Sequence, residues 1–406
     1  MILAASLVVV VSPTYALQVL AVLAGGYGLF FAMTEILQVI SPRKSGPSPL
    51  RQIDAPDVRA PHAREAFAAV GVALVVLVGI AIAHSLGGPD GPSPAGNANP
   101  VACNGYPQLC PRPFNEVSVA ASHNSMSAGN RKGWLLANNT GGISEQLQFG
   151  IRGLLIDAHY GVLNAKGRVR TDLDREGRNK AAVARQELGL EAIKAAERLV
   201  GQRLGQGEVK GKKGVYLCHT LCELGYEPIV DALREVTAFL DRHPDEVVTI
   251  FVEDYIKVED IVRAFRASGL DRYTYEHELG DPWPTLREMI ESGDRLLVMS
   301  EEDQPGDPPW YHTGFALTQE TPFTFKNIEE ISAPESCSQN RGTPNSPLFQ
   351  LNHFIEKFPL SPKLAEKVNS RRVLLSRARL CRAERELQPN LVAVDFYDRG
   401  DVLEVV

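Results

Sequence analysis

VVTIFVED, residues 247–254, runs six apolar or β-branched residues straight into two carboxylates. An apolar run of that length without polar alternation is what a strand buried on both faces requires. Six comparable stretches recur: VSVAAS (117–122), GLLIDA (153–158), GVYLC (214–218), RLLVMS (295–300), LFQL (348–351) and LVAV (391–394). Amphipathic helical patterns such as YEPIVDALREVTAFLDRH (226–243) and VEDIVRAFRASG (258–269) lie between several of them. Continuous apolar strands alternating with helices imply a parallel sheet covered on both faces. The span 114–401 is therefore expected to be α/β, a TIM-type (β/α)8 barrel, with irregularity allowed because only seven strands are legible.

The residues that follow these strands share a chemistry. VSVAAS leads to His123 and Asn124, GLLI to Asp157 and then His159, and GVYLC to His219. VVTIFV leads to Glu253 and Asp254, RLLVMS to Glu301, LFQL to Asn352 and His353, and LVAV to Asp395. A single Asp or Asn after a strand is more often a helix cap than a catalyst. Seven polar ends together are different, because a β/α barrel brings its strand ends to one face. Histidines and carboxylates converging there suit acid–base phosphoryl chemistry or a metal site.

Outside this span the chain changes character. Residues 16–40 carry Glu35 as their sole charge, and residues 66–86 carry no Asp, Glu, Lys or Arg. Each meets the length of roughly 20 apolar residues needed to cross a bilayer. The expected organisation is a first transmembrane segment within 1–40, a cytoplasmic loop at 41–65, a second segment at 66–86 and a linker at 87–113. Arg43, Lys44, Arg51, Arg59 and Arg64 lie between the segments, and no Lys or Arg follows the second until Arg112. The bias of basic residues toward the cytoplasm puts everything after about residue 87 outside. The expected location is thus the cell membrane, multi-pass, with an extracytoplasmic catalytic domain.

All six cysteines follow residue 87, which suits an oxidising compartment and three disulfides among 15 pairings. Proximity favours Cys103–Cys110 and Cys218–Cys222, leaving Cys337–Cys381. The formal charge of −7 argues against a nucleic-acid partner. Residues 162–213 form an insertion with 13 Lys/Arg against 7 Asp/Glu. Val183, Leu190, Ile193, Val200 and Leu204 in it recur at helical spacing. It reads as a solvated charged face, or as a surface attracted to anionic headgroups.

ASHNSM (121–126), QLQFGIRGLLIDAHYG (146–161), YLCHTLCELG (216–225) and FLDRHPDEVVTIFVEDY (239–255) together resemble the X-domain of phosphatidylinositol-specific phospholipase C. RGTPNSPLFQLNHF (341–354) and NLVAVDFYDRGD (390–401) resemble the C-terminal motifs of PLC-like phosphodiesterases. The resemblance implies cleavage of a phospholipid-type phosphodiester by two histidines. His123 would act as general base or stabilise the transition state, His219 would protonate the leaving alkoxide, and Asp395 would orient His123. It also implies His353 as a candidate for contact with substrate phosphate, and Arg152 as either such a contact or a structural salt bridge. The calcium-using branch implies Asn124, Asp157 and Glu253 as ligands of Ca2+, with Mg2+ as the alternative, although Leu155 stands where one further ligand is found. Asp254 is a candidate replacement for that lost oxygen. The substrate partner would be a phospholipid or another phosphodiester, reached from a membrane held by the N-terminal helices. Two other readings stay open: a glycerophosphodiester or sphingolipid phosphodiesterase on the same barrel, and a catalytically weak module that binds headgroups or a partner.

Overall fold

The computed structural model describes residues 99–178, 194, 197–198, 204, 210–302, 308–357 and 360–406. Eight parallel strands form the body of the molecule. They are β1 (Val119–Ser122), β2 (Gly153–Leu163), β6 (Val248–Asp254), β7 (Leu296–Ser300), β8 (Tyr311–Thr313), β9 (Thr318–Glu320), β10 (Leu348–Asn352) and β11 (Leu391–Val394). Their spatial order, β8-β7-β6-β2-β1-β11-β10-β9, is chain order wound once around. Every neighbouring pair in this path is parallel. Among the described residues β8 and β9 do not pair, so the barrel is open at that seam.

The remaining strands, β3 (Val169–Thr171), β4 (Lys212–Leu217) and β5 (Glu227–Pro228), are antiparallel and grow from the far end of β2. GVYLC is therefore not a barrel strand. Lys212–Leu217 pairs antiparallel with Ala158–Leu163, so it returns along β2 instead of crossing over to a new barrel position. The two barrel places left are taken by β8 and β9, three residues each, too short to leave a periodic signal.

Side chains alternate across each strand. Leu154, Ile156, Ile250, Val252 and Val298 belong to the layer under the covering helices, with Leu233, Val236 and Leu240 of α2 (Ile229–Arg242) and Ile261 and Phe265 of α3 (Val258–Ser268). The buried residues of α2 recur at i, i+3, i+4 and i+7, which presents one apolar stripe to the sheet. Ala121, Phe251, Leu297, Met299 and Ala393 belong to a second cluster with Leu286, Met289 and Ile290. Cys103, Cys110 and Phe114 join that cluster, so the two bridged cysteines anchor the end of the stretch expected as linker to the core. All three disulfides form as expected: Cys103–Cys110, Cys218–Cys222 and Cys337–Cys381.

The expectation of a barrel preceded by two transmembrane helices, and of a multi-pass location, is corrected. Among the described residues no helix is long and apolar enough to cross a membrane. The longest described helix, Arg371–Arg385, has 15 residues and carries arginines along its length, against the roughly 20 apolar residues a span needs. Segments 16–40 and 66–86 lie outside the described residues, as does nearly all of the expected insertion helix at 183–204.

Candidate active site

The C-terminal ends of the barrel strands surround one cavity of about 820 Å3. His123, Asn124, Asp157, His219, Glu253 and Asp395 all line it, so residues separated by up to 272 positions meet in one place. His123 follows β1 and Asp395 follows β11, its hydrogen-bonded neighbour, in register with Ser122 beside Val394. His123 Nδ1 lies 2.9 Å from Asp395 Oδ1. A carboxylate only accepts, so the hydrogen sits on Nδ1 and the Nε2 side of the ring is directed elsewhere. Asn138 donates a second bond to the same Asp395 oxygen at 3.1 Å. Phe354 stacks flat on His123, with centroids 3.8 Å apart and planes 2° from parallel.

His219 arrives from a different direction, on the loop after β4 that the Cys218–Cys222 bridge closes. Its ring is edge-on to His123 at 6.3 Å between centroids. Burial, then the neighbouring His123 and His159, push its imidazole down to about 3.

The backbone marks the same three places. Among the described residues five non-glycine residues adopt positive φ, and three of them directly follow these groups: Asn124 at 48°, Thr220 at 62° and Phe396 at 48°. Asn tolerates the left-handed region, but a β-branched or aromatic residue there is strained. Such strain persists only where surrounding structure imposes it, and it collects at functional sites.

Asn124 and Asp157 touch. With the amide nitrogen turned toward Asp157 it donates to both carboxylate oxygens, at 3.2 and 3.1 Å. The amide oxygen then lies 3.1 Å from His123 Nε2 and 3.3 Å from His219 Nε2; turned the other way, the amide nitrogen donates to His123 Nε2, the side the Nδ1 hydrogen leaves free to accept. Glu253 accepts from the Tyr255 hydroxyl. Asp254 faces the outer layer, where Ser300 and Tyr311 donate to it at 2.6 and 3.0 Å, so it does not supply an oxygen to the cavity. Among the described residues no group of three or more His, Cys, Asp or Glu is gathered as a metal ion requires. With its amide nitrogen toward Asp157, Asn124 gives a cation no oxygen, whereas the opposite orientation turns the amide oxygen to Asp157 and Ca2+ could be shared between them.

Two expected phosphate contacts lie elsewhere. Arg152 precedes β2 and sits at the opposite end of that strand from Asp157. Its Nε donates to Glu246 at 2.6 Å and its Nη1 to the carbonyls of Leu147 and Ile151 at 2.8 Å each. His353 is fully buried beneath the cavity wall, with Nε2 on the Val368 carbonyl at 2.9 Å and Nδ1 on Arg377 at 3.2 Å. Burial, then Arg377, push it down to about 3. Both residues brace the barrel.

In the second half of the cavity the strand-end pattern marks Glu301 and Asn352 but neither Arg341 nor Glu320. Arg341 reaches in from the 341–346 turn and pairs with Glu301 at 2.7 and 3.0 Å, and with Glu320 at the end of β9. Gly342 makes that turn possible: its φ is 84°, and a Cβ there would lie 2.3 Å from the Thr318 carbonyl oxygen. Burial and the nearby Glu253 push the Glu301 carboxyl upward, against Arg341. Gln350 Oε1 is buried in this sector with no hydrogen-bond partner among the described residues.

The family model described as PI-PLC X 1 matches residues 178–406, more than half of the chain. The chain belongs to the PI-PLC X family. The matched span contains His219, Glu253 and Asp395, and begins downstream of His123, Asn124 and Asp157. A PI-PLC X domain-containing protein 1 of Arthroderma benhamiae is 27% identical over 328 residues, covering 76% of this chain and 88% of that protein. A PI-PLC X domain-containing protein of Arabidopsis thaliana is 31% identical over 202 residues, 46% of each chain. Among solved structures, the phosphatidylinositol-specific phospholipase C of Listeria monocytogenes aligns with a TM-score of 0.41 at 15% identity, over 73% of this chain and 93% of that one. A calcium-dependent phosphoinositol-specific phospholipase C from Pseudomonas sp. aligns with a TM-score of 0.30 at 11% identity, over 72% and 92%.

Proposed function

We propose that this PI-PLC X family protein is a phospholipase C-type phosphodiesterase that cleaves a phospholipid-type diester by paired histidine acid–base catalysis. The observation that carries this reading is two imidazoles 6.3 Å apart on one cavity wall, one of them backed by Asp395. The amide oxygen of Asn124 already lies within reach of both Nε2 atoms, so a phosphoryl oxygen near that position meets both. Asp395 fixes the tautomer of His123, whose Nε2 then takes the proton of the attacking hydroxyl. His219 stands on the other side to protonate the departing alkoxide. In the free protein burial holds His219 neutral, and the negative charge of a bound diester favours its protonated form. The acid thus becomes competent when substrate arrives. Attack by a hydroxyl of the substrate itself would give a cyclic phosphate, and attack by water an open monoester.

His123→Ala and His219→Ala should each lower turnover by about 100-fold or more, the scale of a positioned proton-transfer group. A substrate with a low-pKa leaving group should partly rescue His219→Ala and leave His123→Ala unrescued. Turnover near wild type in either variant, on a diester the native protein cleaves, would remove this mechanism. Phosphorus NMR of the products separates cyclic from open phosphate.

A further inference from the structure

The antiparallel strands at the far end of β2 gather four side chains beside the cavity. His159, two residues beyond Asp157 and on the same face of the strand, is completely buried. Its Nδ1 lies 3.1 Å from Glu176 Oε1, and that carboxylate side chain is buried too. The same oxygen accepts the Tyr160 backbone N–H at 2.9 Å, and the other accepts from Arg178 Nη1 at 3.2 Å. The His159 ring stacks on Tyr255 with centroids 4.5 Å apart and planes 12° from parallel. The Arg178 guanidinium lies 3.9 Å from the centroid of the same phenol. Tyr255 lines the cavity and donates to Glu253. Thr171, nearby on β3, accepts from the Cys222 N–H at 2.8 Å and so ties the loop of His219 to the same hairpin.

Glu176, Arg178 and Thr171 all belong to the insertion at 162–213. A charged insertion on a barrel is ordinarily a solvated face; here its first residues reach inward and bury a carboxylate. The geometry points to a positioning role: Glu176 and Arg178 hold Tyr255, through His159 and directly, so that its phenolic O–H stays on Glu253 in the cavity. An imidazole ring and a guanidinium both attract an aromatic face, and the ion pair between Glu176 and Arg178 sets their spacing. The kinetic consequence rests on the phosphodiesterase reading; the geometric claim does not.

The test uses the full chain with a 4-nitrophenyl phosphodiester of myo-inositol as probe. Glu176→Gln, Arg178→Ala and Tyr255→Phe should each lower kcat by about tenfold, the scale of lost outer-shell support, with KM and melting temperature little changed. Arg178→Lys, which keeps a cation near the ring, should recover part of the loss. The double variant Arg178→Ala/Tyr255→Phe should be no slower than the worse single, since both remove one coupled interaction. Additive losses, or unchanged kcat in the singles, would overturn the proposal. Should Glu176→Gln fail to fold, the partly exposed Arg178 and the ring-preserving Tyr255→Phe still decide it. If the wild-type protein cleaves no diester, the phosphodiesterase reading fails separately. The same variants are then read by fluorine NMR with 3-fluorotyrosine at position 255. A shifted resonance in Glu176→Gln and Arg178→Ala supports the coupling, and an unmoved one overturns it.

Discussion

Thr220 shows how a single residue records the cost of building this cavity. It is β-branched, buried, and held at φ 62° between His219 and the Cys222 end of the bridge. Left-handed backbone costs a non-glycine residue roughly 1–2 kcal/mol. Thr220→Gly should therefore raise stability by about 1 kcal/mol while lowering turnover, because the loop no longer fixes His219. Thermal melts and initial rates on the same sample check both halves, and a lower melting temperature would show that the Thr220 side chain outweighs the strain. His353 gives a pH signature. Its folded-state value of about 3 lies below its unfolded value of 6.5. A base with a depressed value contributes stability that is complete above 6.5 and is lost as pH falls from 6.5 toward 3, by up to about 1.4 kcal/mol per pH unit. Urea midpoints should fall over that window, and His353→Gln should flatten the slope. His123, His219 and Asp395 were legible because each follows an apolar stretch that reads as a strand. Arg152 and His353 shared the same motifs but face away, since a motif names a residue without giving its direction. Phe354 and Asn138 could not be read at all, because their partners His123 and Asp395 are joined to them only by the folded barrel.

At the scale of elements, pattern length decided what could be seen. The long strands β2, β6 and β7 and helices α2 and α3 have enough residues for a clear period. The three-residue strands β8 and β9 do not, and with them Glu320 stayed hidden. The β4 segment has the composition of a buried strand, yet its composition is silent on direction, and it pairs antiparallel. That reversal puts His219 on a short bridged loop instead of a barrel strand end. A disulfide closing so small a ring removes little unfolded-state entropy, so its main effect is local. Reduction of Cys218–Cys222 should lower turnover well before it changes the melting temperature. Peptide mapping under non-reducing conditions, showing both thiols free in fully active protein, would refute this.

Across the whole molecule, the resemblance to PLC-like phosphodiesterases and the architecture agree on a barrel, while among the described residues no group of three or more His, Cys, Asp or Glu is gathered for a metal. Asn124 is the test point, since the end of its amide turned to Asp157 decides between a hydrogen bond and a shared cation. Turnover should survive EGTA; a loss restored by added Ca2+ would mean that Asn124 turns its oxygen toward Asp157 instead. The seam between β8 and β9 has a further consequence. β1, which carries His123, is flanked by β2 and β11, whereas β9, which carries Glu320, has β10 on one side only. Amide hydrogens along β1, β2 and β11 should therefore exchange slowly, and those of β8 and β9 much sooner. On the proposed reading, the wall carrying the two imidazoles would be the stiff one, and the wall holding Glu320 and Arg341 would yield to headgroups of different girth without disturbing the distance between the imidazoles.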